Sequence, residues 1–353
     1  MKLLTVVGAR PQFVKSFPVS RALPDGHEEV LVHTGQHYDR ELSAVFFEEL
    51  GLSAPDYNLE VGSGSHAEQT AATMRRLDPV VATEDPDAMV VYGDTNSTVA
   101  AALVGARYPF RVAHVEAGLR SGNRAMPEEV NRVVTDHVAD LLFAPSRAAE
   151  RTLEREGLGD RTHRVGDVMY DALLWARDVA RDSVSVLADL GLTEGEYVLA
   201  TVHRVRNTDD PDRLERIVAA LGALDDPVVF PAHPRTVQAL EASGLRERAE
   251  RSLRLVDPVG YLEFVRLLAA ARAVATDSGG VQKEAFFLDT PCVTLREETE
   301  WVETVESGWN RLVGADPDAI GRALRSPGGR EPKPAPYGDG DAAHRVLEVL
   351  LDD

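Results

Sequence analysis

The chain alternates short runs rich in β-branched residues with amphipathic helical stretches from one end to the other. This alternation is typical of βαβ units, in which a crossover helix joins two parallel strands, and it predicts an α/β protein. The predicted strands are Leu3–Val7, Val30–His33, Ala88–Tyr92, Arg111–Val115, Leu141–Ala144, Tyr197–Thr201, Val228–Pro231, Leu253–Val256, Ala273–Thr276 and Cys292–Leu295. The predicted helices are Pro11–Leu23, Arg40–Leu50, His66–Leu77, Ser97–Ala106, Pro127–Val138, Arg147–Glu156, Pro211–Leu224 and Leu262–Ala270.

The length of 353 residues is large for one domain and sufficient for two, each with its own core. A second sheet is predicted to begin near Glu196, after the long helical region Asp167–Leu190. We therefore predict two doubly wound, Rossmann-like domains facing a cleft, over residues 1–168 and 169–336. Residues 337–353 are predicted to form a final helix that can return to the N-terminal domain.

The charge balance limits the partners of the chain. Its 38 basic and 58 acidic residues give a net charge of −20, which argues against binding to nucleic acid or to an anionic membrane. No apolar run approaches the roughly 20 residues of a membrane span, and a strand-like segment follows Met1 directly. Cys292 is the single cysteine, so a disulfide within the chain is excluded. We predict a cytoplasmic protein and, because lysines are few and acids many, a halophilic source.

The segment Thr276–Glu284 places two glycines between a predicted strand and a predicted helix. Glycine lets the backbone approach a ligand closely, and the free N–H groups of a helix start favour an anion. Ser278 could instead simply cap the helix. Two further strands end in His203-Arg204 and in His233-Pro234-Arg235. Together these three strand ends predict a diphosphate site, since hydrogen bonds to charged groups are strong.

The first strand is followed by Arg10 and Lys15 near the start of a helix, where the helix dipole disfavours cations. A bound anion would resolve this conflict, and so would a local carboxylate. Three acidic residues lie in loops that are predicted to be neighbours, namely Asp94, Glu116 and Glu128. Carboxylates that lie close together can have different pKa values, as a general acid and a general base require. The sequence contains no Walker A loop, no Gly-x-Gly-x-x-Gly after a strand and no convincing metal site.

These strand ends together resemble the non-hydrolysing UDP-N-acetylglucosamine 2-epimerases, which have a GT-B-like architecture. The resemblance runs in order from Lys2 to about Gly314. The matching segments are Gly8-Ala9-Arg10-Pro11-Gln12, His33-Thr34-Gly35-Gln36-His37, Tyr92-Gly93-Asp94-Thr95, His114-Val115-Glu116-Ala117-Gly118-Leu119-Arg120, Pro127-Glu128-Glu129-Val130-Asn131-Arg132, Thr201-Val202-His203-Arg204 and Thr276-Asp277-Ser278-Gly279-Gly280.

The resemblance implies an isomerase in which UDP leaves the sugar, a proton leaves C2, and UDP adds back to a 2-acetamidoglucal after reprotonation of the other face. It implies a UDP-sugar substrate, no metal, no redox cofactor and a homodimer. The catalytic residues that it implies are Asp94, Glu116, Glu128 and His203. The UDP-binding residues that it implies are Arg10, Lys15, His233, Phe264, Ser278, Gly279, Gly280 and Glu284.

Two positions depart from the family pattern. Arg206 stands where the family usually has glutamate, and Trp301 stands where many members have arginine. The segment Leu295–Trp301 resembles a subgroup that includes enzymes acting on UDP-diacetamido-uronic acids, so such a substrate is an alternative. A GT-B glycosyltransferase or a non-catalytic sugar-nucleotide sensor would also fit the predicted architecture.

Overall fold

The computed structural model describes residues 1–36, 54–329 and 333–352. The predicted helix Arg40–Leu50 lies outside these ranges. The chain divides into two compact units. Unit 1 comprises Met1–Ala172 and Ala335–Asp353, and unit 2 comprises Leu173–Pro334. The domain boundaries predicted from the sequence fall a few residues away from these limits.

Unit 1 is built on a parallel sheet that has seven strands in the described residues, in the order β3-β2-β1-β4-β5-β6-β7. The strands are β1 Lys2–Val7, β2 Glu28–His33, β3 Tyr57–Asn58, β4 Ala88–Tyr92, β5 Arg111–Val115, β6 Leu141–Ala144 and β7 Thr162–Arg164. The central strands are buried on both faces, as continuous apolar runs in a parallel sheet require. The sequence pattern did not predict β3 and β7, which are only two and three residues long.

Helices of unit 1 alternate with these strands and begin at identifiable caps. Ser65 and Thr95 each accept a hydrogen bond from the third residue of the helix that follows, which stabilises the helix start. The helices are α1 Arg10–Ala22, α2 His66–Glu84, α3 Asn96–Gly105, α4 Pro127–Val138, α5 Arg147–Arg155, α6 Val168–Ser183 and α16 Ala342–Asp352. The last of these packs on α1, and α6 continues from unit 1 into unit 2.

Unit 2 has a parallel sheet of six described strands in the order β10-β9-β8-β11-β12-β13. The strands are β8 Val198–Thr201, β9 Val228–Pro231, β10 Arg254–Val256, β11 Ala273–Thr276, β12 Cys292–Thr294 and β13 Asn310–Leu312. The helices are α7 Val186–Asp189, α8 Val205–Thr208, α9 Pro211–Gly222, α10 Pro234–Ala242, α11 Arg246–Ser252, α12 Tyr261–Ala270, α13 Gly279–Phe287, α14 Val302–Glu306 and α15 Pro317–Arg325.

The strand order reverses at one point in each sheet, between β1 and β4 in unit 1 and between β8 and β11 in unit 2. Open parallel sheets bind ligands beside the carboxyl ends of the strands at such a reversal. The prediction of two doubly wound α/β domains is thereby confirmed. A ligand is therefore expected near the loops after β1, β4, β8 and β11. Within the described ranges, no helix combines the length and apolar character that a bilayer crossing requires.

Candidate active site

The loop between β1 and α1 is fixed by Gln12, whose side chain is buried. Its Oε1 atom accepts hydrogen bonds from the backbone N–H groups of Gly8 and Ala9, at 2.8 and 3.0 Å. Its Nε2 atom donates to the carbonyl of Tyr92 and to Thr98 Oγ1, at 2.7 and 2.9 Å. One amide therefore joins the loops at the carboxyl ends of β1 and β4. The sequence motif contains Gln12, but nothing in its local pattern reveals these long-range bonds.

Lys15 lies against Glu116, and the two side chains form a partly buried ion pair. Burial alone lowers the pKa of Lys15, but the charge and hydrogen bond of Glu116 raise it overall, with Asp94 and Asp167 acting in the same direction. The sequence left two partners for Lys15 open, a bound anion or a local carboxylate. Glu116 is such a carboxylate. The predicted contact of Lys15 with a phosphate stays a prediction.

Glu116 has an unusual backbone conformation, with a φ of 73°. A left-handed conformation costs a residue with a side chain about 1–3 kcal/mol, so the surrounding structure must hold it in place. Its N–H group and that of Ala117 both donate to the Phe143 carbonyl, at 3.1 and 3.0 Å. The turn also contains Gly118, with a φ of 83°. A strained, non-glycine residue that carries a carboxylate at a strand end is a candidate for function.

Asp94 follows β4 and forms an ion pair with Arg132 of α4. Arg132 also contacts Glu129 Oε2 at 3.2 Å, so α4 is connected to the β4 loop. Asn131 of the same helix donates to the Asp94 carbonyl at 3.0 Å. Arg132 had no predicted role, although it lies four residues after Glu128 on the same predicted helix, a spacing that places two side chains on one face.

The two acids at the start of α4 have different environments. Glu129 is buried and accepts hydrogen bonds from the N–H groups of Ser121 and Gly122 at 2.8 and 3.0 Å, so its carboxylate organises the preceding loop. Burial raises the pKa of Glu129, but these bonds and Arg132 lower it overall. Glu128 is exposed, and no hydrogen bond or ion pair to its side chain is found among the described residues. Glu128 is therefore the acid of this pair that is available to a ligand.

In unit 2, the loop after β8 is held by Asp277, which follows β11 and is fully buried. Its carboxylate accepts hydrogen bonds from the backbone of His203 and Arg204, at 3.1 and 3.0 Å, and from Asn207 Nδ2 at 3.0 Å. Thr201 and Thr276 share a further hydrogen bond of 2.6 Å between the two strands. Asp277 thus fixes the backbone from which His203 and Arg204 project.

His203 and His233 lie side by side, with their ring centroids 5.8 Å apart. Nδ1 of His233 accepts the N–H of Arg235 at 3.1 Å, so the proton of the neutral ring is on Nε2, which can act as a donor. Burial lowers the pKa of His203, as do His233 and Arg204, while Asp277 opposes this shift. Nδ1 of His203 lies 3.4 Å from Asp277. The two rings therefore offer a donor and a base of low pKa at one sheet edge.

Helix α13 begins at the Ser278-Gly279-Gly280 turn, as the sequence predicts. Ser278 caps the helix by accepting the N–H of Val281, and Gly280 is exposed. A side chain at Gly279 would clash with Glu300 Oε1, and Arg204 Nη2 would lie 3.6 Å from the added carbon. Glu300 also pairs with Arg296 at 3.1 Å. A carboxylate and a guanidinium thus lie beside the helix start, where an anion is electrostatically favoured.

Arg206 and Trp301, which differ from the family pattern, both interact with nearby residues of this chain. Arg206 lies 3.3 Å from Glu297, and Glu297 also pairs with Arg213 at 2.9 Å, so the reversed charge at position 206 is compensated within the chain. Trp301 donates from Nε1 to the Gly279 carbonyl at 2.8 Å. The indole thereby joins the loop after β12 to the first turn of α13.

The remaining predicted residues are placed as follows. Phe264 lies on α12 and Glu284 on α13, and both are partly exposed. The side chain of Arg10 lies outside the described part of the structure. Ala232 and Pro234, the chain neighbours of His233, line a cavity of about 840 Å³ together with Val256 and Pro258. Such a volume is within the range of small-molecule sites.

The sequence model of the UDP-N-acetylglucosamine 2-epimerase family matches residues 22–351. A Methanococcus maripaludis protein named UDP-N-acetylglucosamine 2-epimerase homolog is 47% identical over 357 residues, which cover 99% of both chains. A Pseudomonas aeruginosa protein named UDP-2,3-diacetamido-2,3-dideoxy-D-glucuronate 2-epimerase is 45% identical over 360 residues, again covering 99% of each chain.

Solved structures agree with these relatives. The structure of UDP-GlcNAc 2-epimerase from Methanocaldococcus jannaschii is 39% identical, with a TM-score of 0.92 over 100% of both chains. A crystal structure of the Methanocaldococcus jannaschii protein in complex with UDP-GlcNAc and UDP is 40% identical, with a TM-score of 0.82 over 100% of both chains. Matched over most of its length by the family model and over nearly all of it by these relatives, the chain belongs to the UDP-N-acetylglucosamine 2-epimerase family, a family of isomerases.

Proposed function

We propose that this protein interconverts UDP-GlcNAc and UDP-ManNAc by eliminating UDP and adding it back. The observation that carries the proposal is the carboxylate cluster at the β4 and β5 strand ends, where Asp94, Glu116 and Lys15 interact, in a chain of this family. The Methanocaldococcus jannaschii relative has been crystallised with UDP-GlcNAc and UDP, which supports the substrate class.

In the proposed reaction, a carboxylate removes the proton from C2 of the sugar. The electrons of the C2–H bond form the C1–C2 double bond, and the C1–O bond breaks with its electron pair leaving on UDP. The resulting 2-acetamidoglucal is then protonated at C2 on the opposite face, and a phosphate oxygen of UDP attacks C1. Asp94, Glu116 and Glu128 are the proposed acids and bases, and the ion pairs of the first two orient their carboxylates.

The proposed role of unit 2 is to bind UDP. Donors and positive charge for a diphosphate come from the Nε2–H of His233, from the start of α13 at Ser278-Gly279-Gly280 and from the side chain of Arg204. His203 is proposed to stabilise the phosphate or transfer a proton. Arg10 and Lys15 from unit 1 are proposed as further phosphate contacts. Glu284 is proposed to accept the ribose hydroxyls and Phe264 to contact uracil.

A second candidate substrate is a UDP-diacetamido-uronic acid. The observation that favours it is the 45% identity to the Pseudomonas aeruginosa enzyme, which exceeds the 40% identity to the Methanocaldococcus jannaschii UDP-GlcNAc 2-epimerase. Membership of an isomerase family disfavours a glycosyltransferase or a sensor.

Proton NMR of UDP-GlcNAc incubated with the protein in D₂O and molar KCl tests the proposal. We expect UDP-ManNAc to appear with deuterium at C2. Turnover of the diacetamido-uronic substrate alone, measured in a parallel sample, would reassign the substrate and keep the epimerase chemistry. The absence of turnover with both substrates, in a protein that binds UDP, would contradict the proposal.

The proposal also includes a cytoplasmic homodimer. The homodimer rests on the resemblance to the family, and the cytoplasmic location rests on the nucleotide-sugar substrate and the single cysteine. Light scattering at the working salt concentration gives the oligomeric state directly. A mass equal to that of one chain would contradict the homodimer.

A further inference from the structure

His114 is a buried histidine that the reaction proposed above does not use. It is the fourth residue of β5 and pairs in register with Val91 of β4 and Leu142 of β6. Its side chain is fully buried, so every polar atom of the ring requires a partner inside the protein. Within the described part of the chain the ring has two partners, and they belong to different elements.

Nε2 of His114 lies 2.7 Å from the carbonyl oxygen of Gly93, the residue directly before Asp94. Nδ1 lies 2.7 Å from Oδ1 of Asp136, near the end of α4. The other oxygen of Asp136 accepts the N–H of Gly118 at 3.1 Å and pairs with Arg120 at 2.7 Å. The ring and this carboxylate therefore connect the β4 loop, the β5 loop and α4.

Those three elements carry the proposed acids and bases. Asp94 follows Gly93, Glu116 lies between His114 and Gly118, and Glu128 is at the start of α4. Three of the backbone positions involved are left-handed, namely Gly93, Glu116 and Gly118, with φ of 64°, 73° and 83°. Turns of this kind need external contacts to hold them, because nothing in the local chain favours a left-handed glutamate.

The partners also fix the protonation of the ring. A carbonyl oxygen only accepts a hydrogen bond, so Nε2 carries a proton. Asp136 already accepts from Gly118 and pairs with Arg120, and the hydrogen bond and charges of His114 and Arg120 lower the pKa of Asp136 despite its burial. Arg120 in turn pairs with Glu156 at 2.7 Å, so the network extends to α5 and its C-terminal end.

We infer that His114, hydrogen-bonded to both the Gly93 carbonyl and Asp136, is a positioning residue that sets the placement of Asp94 relative to Glu116 for proton transfer at C2. This inference rests on the proposed function. His114 acts through the Gly93 carbonyl and does not touch the substrate. A displacement of about 1 Å at reacting groups can cost roughly 100-fold in rate, so loss of the Gly93 bond is expected to lower kcat.

Two variants separate the contacts of the ring. In His114→Asn the amide can replace only Nδ1, so the bond to Asp136 is kept and the bond to Gly93 is lost. In His114→Gln the longer amide reaches the position of Nε2 and keeps the bond to Gly93. We expect kcat of His114→Asn to fall about 10- to 100-fold, with KM and the Kd of UDP nearly unchanged, and His114→Gln to recover most of that loss. A matched control is Val81→Ala, which removes buried volume from the core of the same unit.

A folded His114→Asn variant with wild-type kcat would overturn the inference, and so would equal losses in both variants or a parallel loss of UDP affinity. The protonation is tested separately by ¹H–¹⁵N NMR of the histidine-labelled wild-type protein, with His114 assigned from the variants or, if they do not fold, from Asp136→Asn. A proton on Nε2 supports the inference, and an unprotonated Nε2 overturns it. An inactive wild-type protein would refute the proposed function, while this spectrum would still decide the protonation of His114.

Discussion

At the residue scale, the left-handed Glu116 beside Lys15 is the sharpest test of the proposed chemistry. The change Glu116→Gln keeps the shape of the side chain and removes its charge. We expect a loss of roughly 100-fold or more in kcat, because a glutamine can neither remove nor return a proton. UDP affinity, measured by titration calorimetry, should stay within a few-fold of wild type. Near-normal turnover would remove Glu116 from the acid–base set.

Gly279 offers a second test at this scale, directed at the proposed diphosphate site. In Gly279→Ala the added carbon meets Glu300 Oε1, the far end of a flexible side chain, so the protein should fold with that carboxylate displaced. The methyl group would occupy the approach to the helix start. We expect UDP affinity to fall about 10- to 100-fold, the cost of one hydrogen bond to a charged group. Gly159→Ala is the matched control, because its added carbon makes only ordinary contacts outside the site. Unchanged affinity in Gly279→Ala would exclude this turn from phosphate binding.

At the element scale, the start of the final helix α16 is hydrogen-bonded to Asp171 of α6. Asp171 accepts the N–H of Ala343 at 2.7 Å, and its other oxygen is buried without a hydrogen-bond partner among the described residues. Burial raises the pKa of Asp171 from 3.8 to about 6, with the charges of Asp167 and Asp341 adding to the shift. The folded state therefore holds this proton more tightly than the unfolded state. The stability that the proton provides is complete below pH 3.8 and is lost as the pH rises through about 6.

The change Asp171→Asn keeps an oxygen that can cap α16 and removes the charge. We expect its free energy of unfolding to match wild type near pH 4 and to exceed it at pH 8 by up to about 3 kcal/mol. Denaturant titrations across this pH range measure the difference. Asp182→Asn, an exposed carboxylate on the same helix, is the control. A wild-type advantage at pH 8 would show that the carboxylate stabilises α16 as a charged group.

The elements and the family could be predicted from the sequence because their signals are local. The period-2 and period-3.6 patterns define the long strands and helices, and strand-end motifs such as His114–Arg120 identified the family, which the comparisons confirm. Strands as short as β3 contain too few residues to show a pattern. The pairing of Lys15 with Glu116 joins residues 101 positions apart, so only the folded sheet reveals it. The distinction between Glu128 and Glu129 depends on which side of α4 faces the core.

At the scale of the whole molecule, the net charge of −20 should make stability depend on salt. The Debye length is about 10 Å at 0.1 M salt and about 3 Å at 1 M, so molar salt screens most of the repulsion between surface carboxylates. We expect the Tm to rise steeply between 0.1 M and 2 M KCl and enzyme activity to rise with it. Equal stability and activity without molar salt would contradict a halophilic protein.

Salt can also stabilise proteins by strengthening apolar burial, so the electrostatic cause needs its own control. Replacing the exposed acids Asp25, Asp225 and Glu348 by lysine changes the net charge from −20 to −14 without touching the candidate active site. If repulsion between carboxylates is the cause, this variant gains stability at 0.1 M KCl, and its Tm depends less on salt than that of wild type. A parallel rise of both Tm curves would assign the salt effect to apolar burial, and the acidic surface would then serve solubility alone.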